Sequence, residues 1–238
     1  MHTRRQSILL TGFGPFPGIA TNASAELVGR LAASAGKRLA GYTVHGAILP
    51  TEWRDGPLRL TRLLDELEPV LALHFGVSSH TDGFAIEMRG RNACSSSPDA
   101  VGEHPHSSLV LEHGPDSLPA TLPVHHIVAR LRRKGLPARV SRDAGGYLCN
   151  ALLYHSLTHA RRHPGGWRAG FIHIPDGLAP RGAASGRRSR SGCRMSLDDA
   201  VEGSLEIIAA SLGRPDLPLP ATAIEAPARS QVAQRSSG

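Results

Sequence analysis

The sequence predicts a single α/β domain, a sandwich of helices around a largely parallel sheet. Short runs of strand length alternate along the chain with longer segments whose apolar residues recur at helical spacing. Several of the short runs are almost entirely apolar, which is typical of buried strands. The 238 residues are enough for one sizeable domain with a real core.

Six stretches predict strands, and one long polar stretch predicts a loop. The strands are expected at SILLTG (7–12), YTVHGAILP (42–50), VLALHFGV (70–77), FAIEMRGRNA (84–93), ARVS (138–141) and WRAGFIHIP (167–175). Residues 95–121 are polar and rich in Ser, Pro and His, so we expect a long loop there.

Five segments carry helical periodicity. They are residues 22–34, 58–69, 123–135, the run from 149 to 162, and 196–213. Asn22 or Ser24 can cap the first helix, and Ser196 can cap the last. We therefore expect the domain to cover residues 1–213. The Pro- and Ala-rich tail, residues 214–238, is expected to be disordered.

The net charge of +7 and the isoelectric point near 10.1 raise the question of a nucleic-acid partner. Five of the arginines lie in one Ser/Gly-rich loop, residues 180–194. Almost every basic residue is arginine, a bias typical of a GC-rich genome rather than of a binding face. Only 4% of the residues are aromatic, which argues against stacking platforms for single strands. We expect no nucleic-acid partner.

Cysteine usage and hydropathy indicate the compartment. Three cysteines in a chain of this length do not make a disulfide framework, so the reducing cytoplasm is the simplest assignment. No apolar run is long enough to span a bilayer. The N-terminal RRQSILLTGFGPFPGIATNASA superficially mimics an export signal, but prolines and glycines interrupt its apolar part. We expect a cytoplasmic protein without membrane association.

Cys149 stands where glycines and an aromatic residue lead into a helical run, in SRDAGGYLCNALLYHSLTHARR (141–162). Near a helix N-terminus, unpaired backbone N–H groups and the helix dipole favour the thiolate and can also hold a developing oxyanion. The alternative is a small buried residue at a helix start, and position alone does not separate the two. Cys94 and Cys193 carry no helix-start signals, so we expect them to be incidental.

A cysteine nucleophile needs a base and a group that orients the base. His173, in GFIHIP, lies near the C-terminal end of an apolar strand, where α/β sheets expose active sites. A core histidine with a satisfied hydrogen bond is the other interpretation. Glu87, in FAIEMRGRN, is an acid inside an apolar strand, and a buried carboxylate usually has a partner. A charge at a strand end is its alternative.

A metal site is the remaining chemistry that the side chains could suggest. Histidines cluster in GEHPHSSLVLEHGP (102–115), but their spacing fits no recognised zinc pattern. We expect neither a metal nor a cofactor.

Six segments, taken in order, resemble the pyrrolidone-carboxylate peptidase (pyroglutamyl peptidase I) family of cysteine peptidases. They are LLTGFGPFPGIATNAS, ILPTEW, LALHFGVS, IEMRGRNA, SRDAGGYLCNALLYHSL and GFIHIP. The similarity runs from about residue 7 to residue 212. No one motif is decisive, but six in the right order make chance a poor explanation.

The resemblance implies the family's three-layer α/β/α sandwich around a mostly parallel mixed sheet, frequently assembled as a homo-oligomer, here a dimer or tetramer. It implies that Cys149 is the nucleophile, that His173 is the general base and later the acid, and that Glu87 orients the imidazolium. The implied reaction removes an N-terminal pyroglutamyl (5-oxoproline) residue from a peptide through a thioester intermediate.

The resemblance also implies a set of substrate-binding residues. Phe13 and Phe16 look like the family's aromatic walls for the flat lactam ring. Tyr147 falls where the family lines the same pocket, and Asn22 is placed in that set as well. The implied partners are N-terminally pyroglutamylated peptides.

The chain departs from the family pattern after the glutamate strand. The family commonly continues Asp-Ala-Arg-Ile-Pro-Asp-Asn, whereas this chain has NACSSSPDAVGE, without the arginine and one residue shorter. Arg89 or Arg91 could supply the cation from a neighbouring position. Ala23 stands where the family usually has proline, and the Arg/Ser/Gly loop after His173 is unusual.

These departures leave two further functions open. A related thiol hydrolase could act on another lactam or N-acyl amide, which the changed loop at 94–99 motivates. A non-catalytic descendant could bind a small acid or amide in the same pocket. Loss of the arginine is the only support for that reading, and the retained Cys149, His173 and Glu87 argue against it.

Overall fold

The computed structural model describes residues 5–16, 18, 21–163, 166–178 and 195–217. The basic loop at 180–194, which includes Cys193, lies outside these residues, and so does the tail beyond 217. The division into a domain of residues 1–213 and a disordered tail therefore stays a prediction.

The described residues form two sheets. Their strands are β1 (Gln6–Phe13), β2 (Tyr42–Leu49), β3 (Leu71–Ser78), β4 (Phe84–Glu87), β5 (Arg89–Arg91), β6 (Ser117–Pro119), β7 (Ala138–Ser141) and β8 (Arg168–Pro175). The main sheet has the order β2-β1-β3-β8-β4-β7, and all its neighbours are parallel except β4 and β8. Strands β5 and β6 form a small antiparallel pair. The predicted mostly parallel mixed sheet is confirmed.

The described residues also form five helices, each close to its predicted place. They are α1 (Ala23–Arg38), α2 (Asp55–Leu67), α3 (Val124–Arg133), α4 (Leu148–Arg162) and α5 (Leu197–Ser211). Asn22 caps α1, because its Oδ1 accepts a hydrogen bond from the Ser24 backbone N–H at 3.1 Å. Ser196 caps α5 in a reciprocal capping box with Asp199.

Alternating strand residues build a core on each face of the main sheet. Leu10 and Ile86 belong to the core under α1, α3 and α5, whereas Leu9 and Phe171 belong to the core under α2 and α4. The three-layer α/β/α sandwich is therefore confirmed. His173 follows Phe171 by two residues, so it faces the layer that contains α4.

Two details of the predicted elements are corrected. The expected strand at 84–93 breaks at Met88, whose N–H donates to the Ser141 carbonyl and whose carbonyl accepts from Ala120, so the chain passes from one sheet to the other. The expected loop at 95–121 contains β6, which is too short to leave a periodic signal. The Asn92 side chain also fixes this segment, because its Nδ2 donates to the Leu111 carbonyl at 2.8 Å.

The described residues after α5 are attached to the core. Arg130 is 1% exposed and donates to the Arg214 and Pro215 carbonyls at 2.7 and 2.6 Å. Its Nε donates to Glu206 at 2.6 Å, which compensates the buried charge. Residues 214–217 thus continue the packed structure beyond the predicted domain end. None of the helices in the described ranges combines the length and apolar character needed to cross a membrane.

Candidate active site

A cavity of about 370 Å³ opens where β1, β3 and β8 end at the carboxyl edge of the sheet. Open α/β sheets place ligands at this edge. The seven residues that the sequence assigned to catalysis or substrate binding all line the cavity: Phe13, Phe16, Asn22, Glu87, Tyr147, Cys149 and His173. The fold therefore brings these side chains together from distant parts of the chain, while their individual roles stay predictions.

Cys149 is the second residue of α4 and is half-buried. Gly145 precedes the helix with a φ of 84°, a left-handed conformation that glycine adopts without strain, and the chain turns there from β7 towards α4. On β3, a Cβ at Gly76 would lie 3.1 Å from the Cys149 Sγ. The missing side chain at Gly76 therefore leaves the room that the thiol occupies.

His173 and Glu87 form a buried pair. Nδ1 of His173 lies 2.8 Å from Oε1 of Glu87, and the two residues are 8% and 1% exposed. A carboxylate only accepts hydrogen bonds, so Nδ1 carries the proton that it donates. The ring also packs against Phe171, with 4.8 Å between the ring centroids. These contacts fix the imidazole and leave Nε2 for a second partner.

The surroundings of His173 favour its protonated form. Burial by itself lowers the pKa of His173, but the charge and hydrogen bond of Cys149, together with those of Glu87, outweigh burial and raise the pKa from 6.5 to about 10. His173 is thus held as an imidazolium beside Cys149, an arrangement that can activate a cysteine nucleophile.

Aromatic side chains form one wall of the cavity. Phe13 is 3% exposed and packs against Phe171, with ring centroids 6.1 Å apart. The Tyr147 ring meets Trp53 edge to face at 5.1 Å, and its hydroxyl donates to the Pro98 carbonyl at 3.2 Å. The altered loop at 94–99 is therefore held against this wall.

Asn22 connects the cavity rim to the start of α1. Its Oδ1 accepts from the Ser24 backbone and hydroxyl, and its Nδ2 donates to the Gly14 carbonyl at 3.1 Å. An amide nitrogen carries two hydrogens, so one remains available to a ligand.

The cation at the cavity is not one of the two that the sequence suggested. Arg91 pairs with Asp143 at 2.9 Å, Arg89 donates to the Arg142 carbonyl at 3.1 Å, and neither side chain lines the cavity. Arg139 does line it. The signal that could have found Arg139 is the alternation in ARVS, which puts it on the same strand face as Ser141.

Asn150 is a positioning residue that the sequence analysis missed. It is fully buried beside Cys149, accepts from the Arg91 N–H at 2.7 Å and donates to the Arg91 and Ala93 carbonyls at 2.8 Å each. The sequence signal that could have found Asn150 is an amide within an otherwise apolar helix face, because a buried amide has to be hydrogen-bonded.

Asp99, which the sequence retains from the family motif but to which it assigned no role, organises the loop beside the cavity. Its carboxylate is 3% exposed and accepts from the backbone N–H groups of Trp53, Val101 and Glu103 at 2.9 to 3.0 Å. Burial alone raises the pKa of Asp99, but these hydrogen bonds outweigh burial and lower it. The ionised carboxylate thus ties the loop to the start of α2.

Metal ligands are not grouped in the part of the chain that the structure describes. There, no three His, Cys, Asp or Glu side chains are placed to hold a metal ion. The expectation that no metal or cofactor takes part stays a prediction.

The chain is similar to known proteins in both sequence and fold. Residues 6–212 match the family model described as pyroglutamyl peptidase. The chain is 38% identical over 210 residues to pyrrolidone-carboxylate peptidase from Chromobacterium violaceum, which covers 88% of this chain and 94% of that one. Its fold is similar to pyroglutamyl peptidase I from Bacillus amyloliquefaciens, with a TM-score of 0.75 and 27% identity over 90% of this chain and 100% of that one. Pyrrolidone carboxyl peptidase from Thermococcus litoralis gives a TM-score of 0.76 at 27% identity, over 90% and 99%.

Proposed function

The chain belongs to the pyroglutamyl peptidase family of cysteine peptidases, and we propose that Cys149, His173 and Glu87 perform its reaction, the removal of N-terminal pyroglutamyl residues from peptides. One observation carries the proposal. His173 and Glu87, joined by a hydrogen bond of 2.8 Å, line the same cavity as Cys149, and Cys149 lies at the start of α4. This arrangement can supply a nucleophile, a base and a carboxylate that orients the base.

In the first half of the reaction, the Cys149 thiolate attacks the carbonyl carbon that joins the pyroglutamyl residue to the next residue. The negative charge moves to the carbonyl oxygen, where backbone N–H groups of the first turn of α4 can stabilise it. The carbon–nitrogen bond then breaks as His173 gives its proton to the leaving amine. A shortened peptide leaves, and the pyroglutamyl group stays on Cys149 as a thioester.

In the second half, water attacks the thioester carbonyl and neutral His173 takes a proton from it. The carbon–sulfur bond breaks, 5-oxoproline leaves as the free acid, and the thiolate and imidazolium are restored. Glu87 accepts the Nδ1 hydrogen bond throughout. It therefore holds the ring in place and compensates its positive charge each time His173 is protonated.

The cavity suits an uncharged flat ring. Phe13, Phe16 and Tyr147 provide aromatic surface, and the free amide hydrogen of Asn22 can donate to a lactam carbonyl. The volume of about 370 Å³ is that of a small-ligand pocket. We assign these four residues to binding of the pyroglutamyl ring.

A cytoplasmic homo-oligomer, a dimer or tetramer, is the setting that we propose for this activity. Cys94 and Cys149 are free thiols, and a reducing compartment keeps a catalytic thiolate active. The side chains of Ile48, Leu58 and Val101 are apolar and exposed, which suits contact between copies. Light scattering on the purified chain and fractionation of the cells that make it test the two statements.

Hydrolysis of a fluorogenic pyroglutamyl amide under reducing conditions tests the function. We expect release by the wild type and by the matched control Cys94→Ser, and none by Cys149→Ser or His173→Ala. A thiol alkylator should abolish the signal. An inert wild type whose Cys149 is still alkylated much faster than Cys94 would keep the nucleophile and overturn the substrate.

A further inference from the structure

Arg139 lies on β7, next to β4, on the same face of the sheet as the hydrogen-bonded pair of His173 and Glu87. On β4, Ala85 pairs with His173 of β8 on one side and with Arg139 of β7 on the other. Adjacent strands lie about 4.8 Å apart, so the backbones of His173 and Arg139 are roughly 10 Å apart. Only the methyl group of Ala85 stands between them in this row.

Among the residues that the structure describes, the other charges around the cavity do not compensate Arg139. Glu87 is paired with His173, and Asp143 is paired with Arg91 at 2.9 Å. Arg139 is exposed, lines the cavity and makes no hydrogen bond or ion pair with any residue that the structure describes. An anionic group that enters the cavity therefore meets the guanidinium of Arg139.

The pyroglutamyl ring cannot supply that anion, because a lactam carries no charge. The anion has to come from the part of the substrate that leaves, beyond the scissile bond. One residue spans about 3.5 Å, so we place the carboxylate on the first residue after that bond. Two groups there have the same chemistry: the carboxylate side chain of an acidic residue, and the terminal carboxylate of a dipeptide. A guanidinium binds carboxylates through two parallel hydrogen bonds, which makes it selective for this group.

We propose that Arg139 is a specificity-determining residue that selects substrates with a carboxylate immediately after the pyroglutamyl residue. The inference rests on the proposed function of the site and extends it to the leaving side of the substrate.

Two matched pairs of substrates test it and separate the two sources of the carboxylate. Pyroglutamyl-glutamate amide is compared with pyroglutamyl-glutamine amide, and pyroglutamyl-alanine with pyroglutamyl-alanine amide. We expect the wild type to favour the anionic member of at least one pair by about tenfold in kcat/KM. Added salt should reduce that preference, because Arg139 is exposed.

Variants of Arg139 decide whether this side chain causes the preference for anionic substrates. Arg139→Gln should reduce the ratio of kcat/KM between the anionic and the neutral substrate to near one. Arg139→Lys should keep part of this preference, and Arg139→Glu should invert it. The control Arg59→Gln removes an exposed cation from α2, outside the cavity, and should keep the wild-type ratio.

The outcomes distinguish this inference from the function on which it rests. A wild type that cleaves the neutral amides with no preference for a carboxylate, or a preference that survives Arg139→Gln, would overturn the role of Arg139 alone. A wild type that cleaves none of the four substrates would overturn the proposed function and this inference with it.

Discussion

The His173 imidazole donates to the Glu87 carboxylate between two antiparallel strands, over 2.8 Å. Ala85 lies directly opposite His173, so Glu87, two residues further along β4, occupies the diagonal position on the same face. Both side chains are buried on regular strands rather than carried on loops. The strand register therefore sets the orientation of the His173 ring, the proposed base.

Removal of the Glu87 charge should slow catalysis without greatly changing substrate binding. Glu87→Gln keeps the size of the side chain but no longer compensates the imidazolium. We expect kcat to fall on the order of 100-fold or more while KM changes little. The control Glu202→Gln, at the partly exposed pair with Arg38, should leave both unchanged. An unaltered kcat in Glu87→Gln would show that the carboxylate has no part in the reaction.

The protonation of His173 should extend well above neutral pH. Its pKa of about 10 predicts that its NMR signal, assigned with His173→Gln, does not titrate between about pH 6 and 8.5. Cys149→Ser removes the Cys149 sulfur, one of the two groups that raise the pKa of His173, so the titration should move to lower pH. A wild-type midpoint near the ordinary value of 6.5 would contradict the stabilisation of protonated His173 by Cys149 and Glu87.

The same shift predicts how stability depends on pH. The folded-state pKa lies above the unfolded value of 6.5, so the stabilisation from protonated His173 is fully present below about pH 6.5. It is lost as the pH rises towards about 10. The difference in the free energy of unfolding between wild type and His173→Gln should therefore shrink as the pH rises from 6.5 to about 10. A stability difference that stays constant across this range would contradict the assignment.

Gly76→Ala should impair the nucleophile. The added Cβ would lie 3.1 Å from the Cys149 Sγ and 2.7 Å from the Phe171 ring, so the thiol or the ring has to move. Displacement of a reacting atom by about 1 Å can cost on the order of 100-fold in rate. Gly29→Ala, in open space on α1, is the matched control and should keep full activity. Full activity in both variants would refute this account of Gly76.

Asn150→Ala should destabilise the fold around the nucleophile. The change leaves the Arg91 N–H and the Arg91 and Ala93 carbonyls without their partner. Urea denaturation should show a loss of about 2–4 kcal/mol in the free energy of unfolding. Thr158→Ala, on the same helix, removes one hydrogen bond to the helix's own backbone and should cost far less.

The sequence predicted the elements whose signal is local. Helical periodicity located the five helices of the described residues, and the Asn22 and Ser196 caps follow from short-range backbone needs. The break at Met88 was not predictable, because it depends on hydrogen bonds to Ser141 and Ala120, which are distant in sequence. The antiparallel pairing of β4 likewise arises from packing between distant segments.

The candidate site likewise contains residues with a local sequence signal and residues without one. Cys149 could be located from a helix start, and His173 from the end of an apolar strand. The family resemblance then gave these two residues and Glu87 their roles. Arg139 went unnoticed because an arginine in a short edge strand resembles any solvated charge. Its place at the cavity becomes visible only once β7 is paired with β4.

Trapping of the acyl-enzyme tests the central claim most directly. Wild-type protein is mixed with excess pyroglutamyl ester, quenched in acid during turnover and digested, and the peptides are analysed by mass spectrometry. We predict a pyroglutamyl group on the peptide that contains Cys149, and none on the Cys94 peptide or in Cys149→Ser. A pyroglutamyl group on Cys94, or turnover by Cys149→Ser at the wild-type rate, would contradict the assignment of Cys149 as the nucleophile.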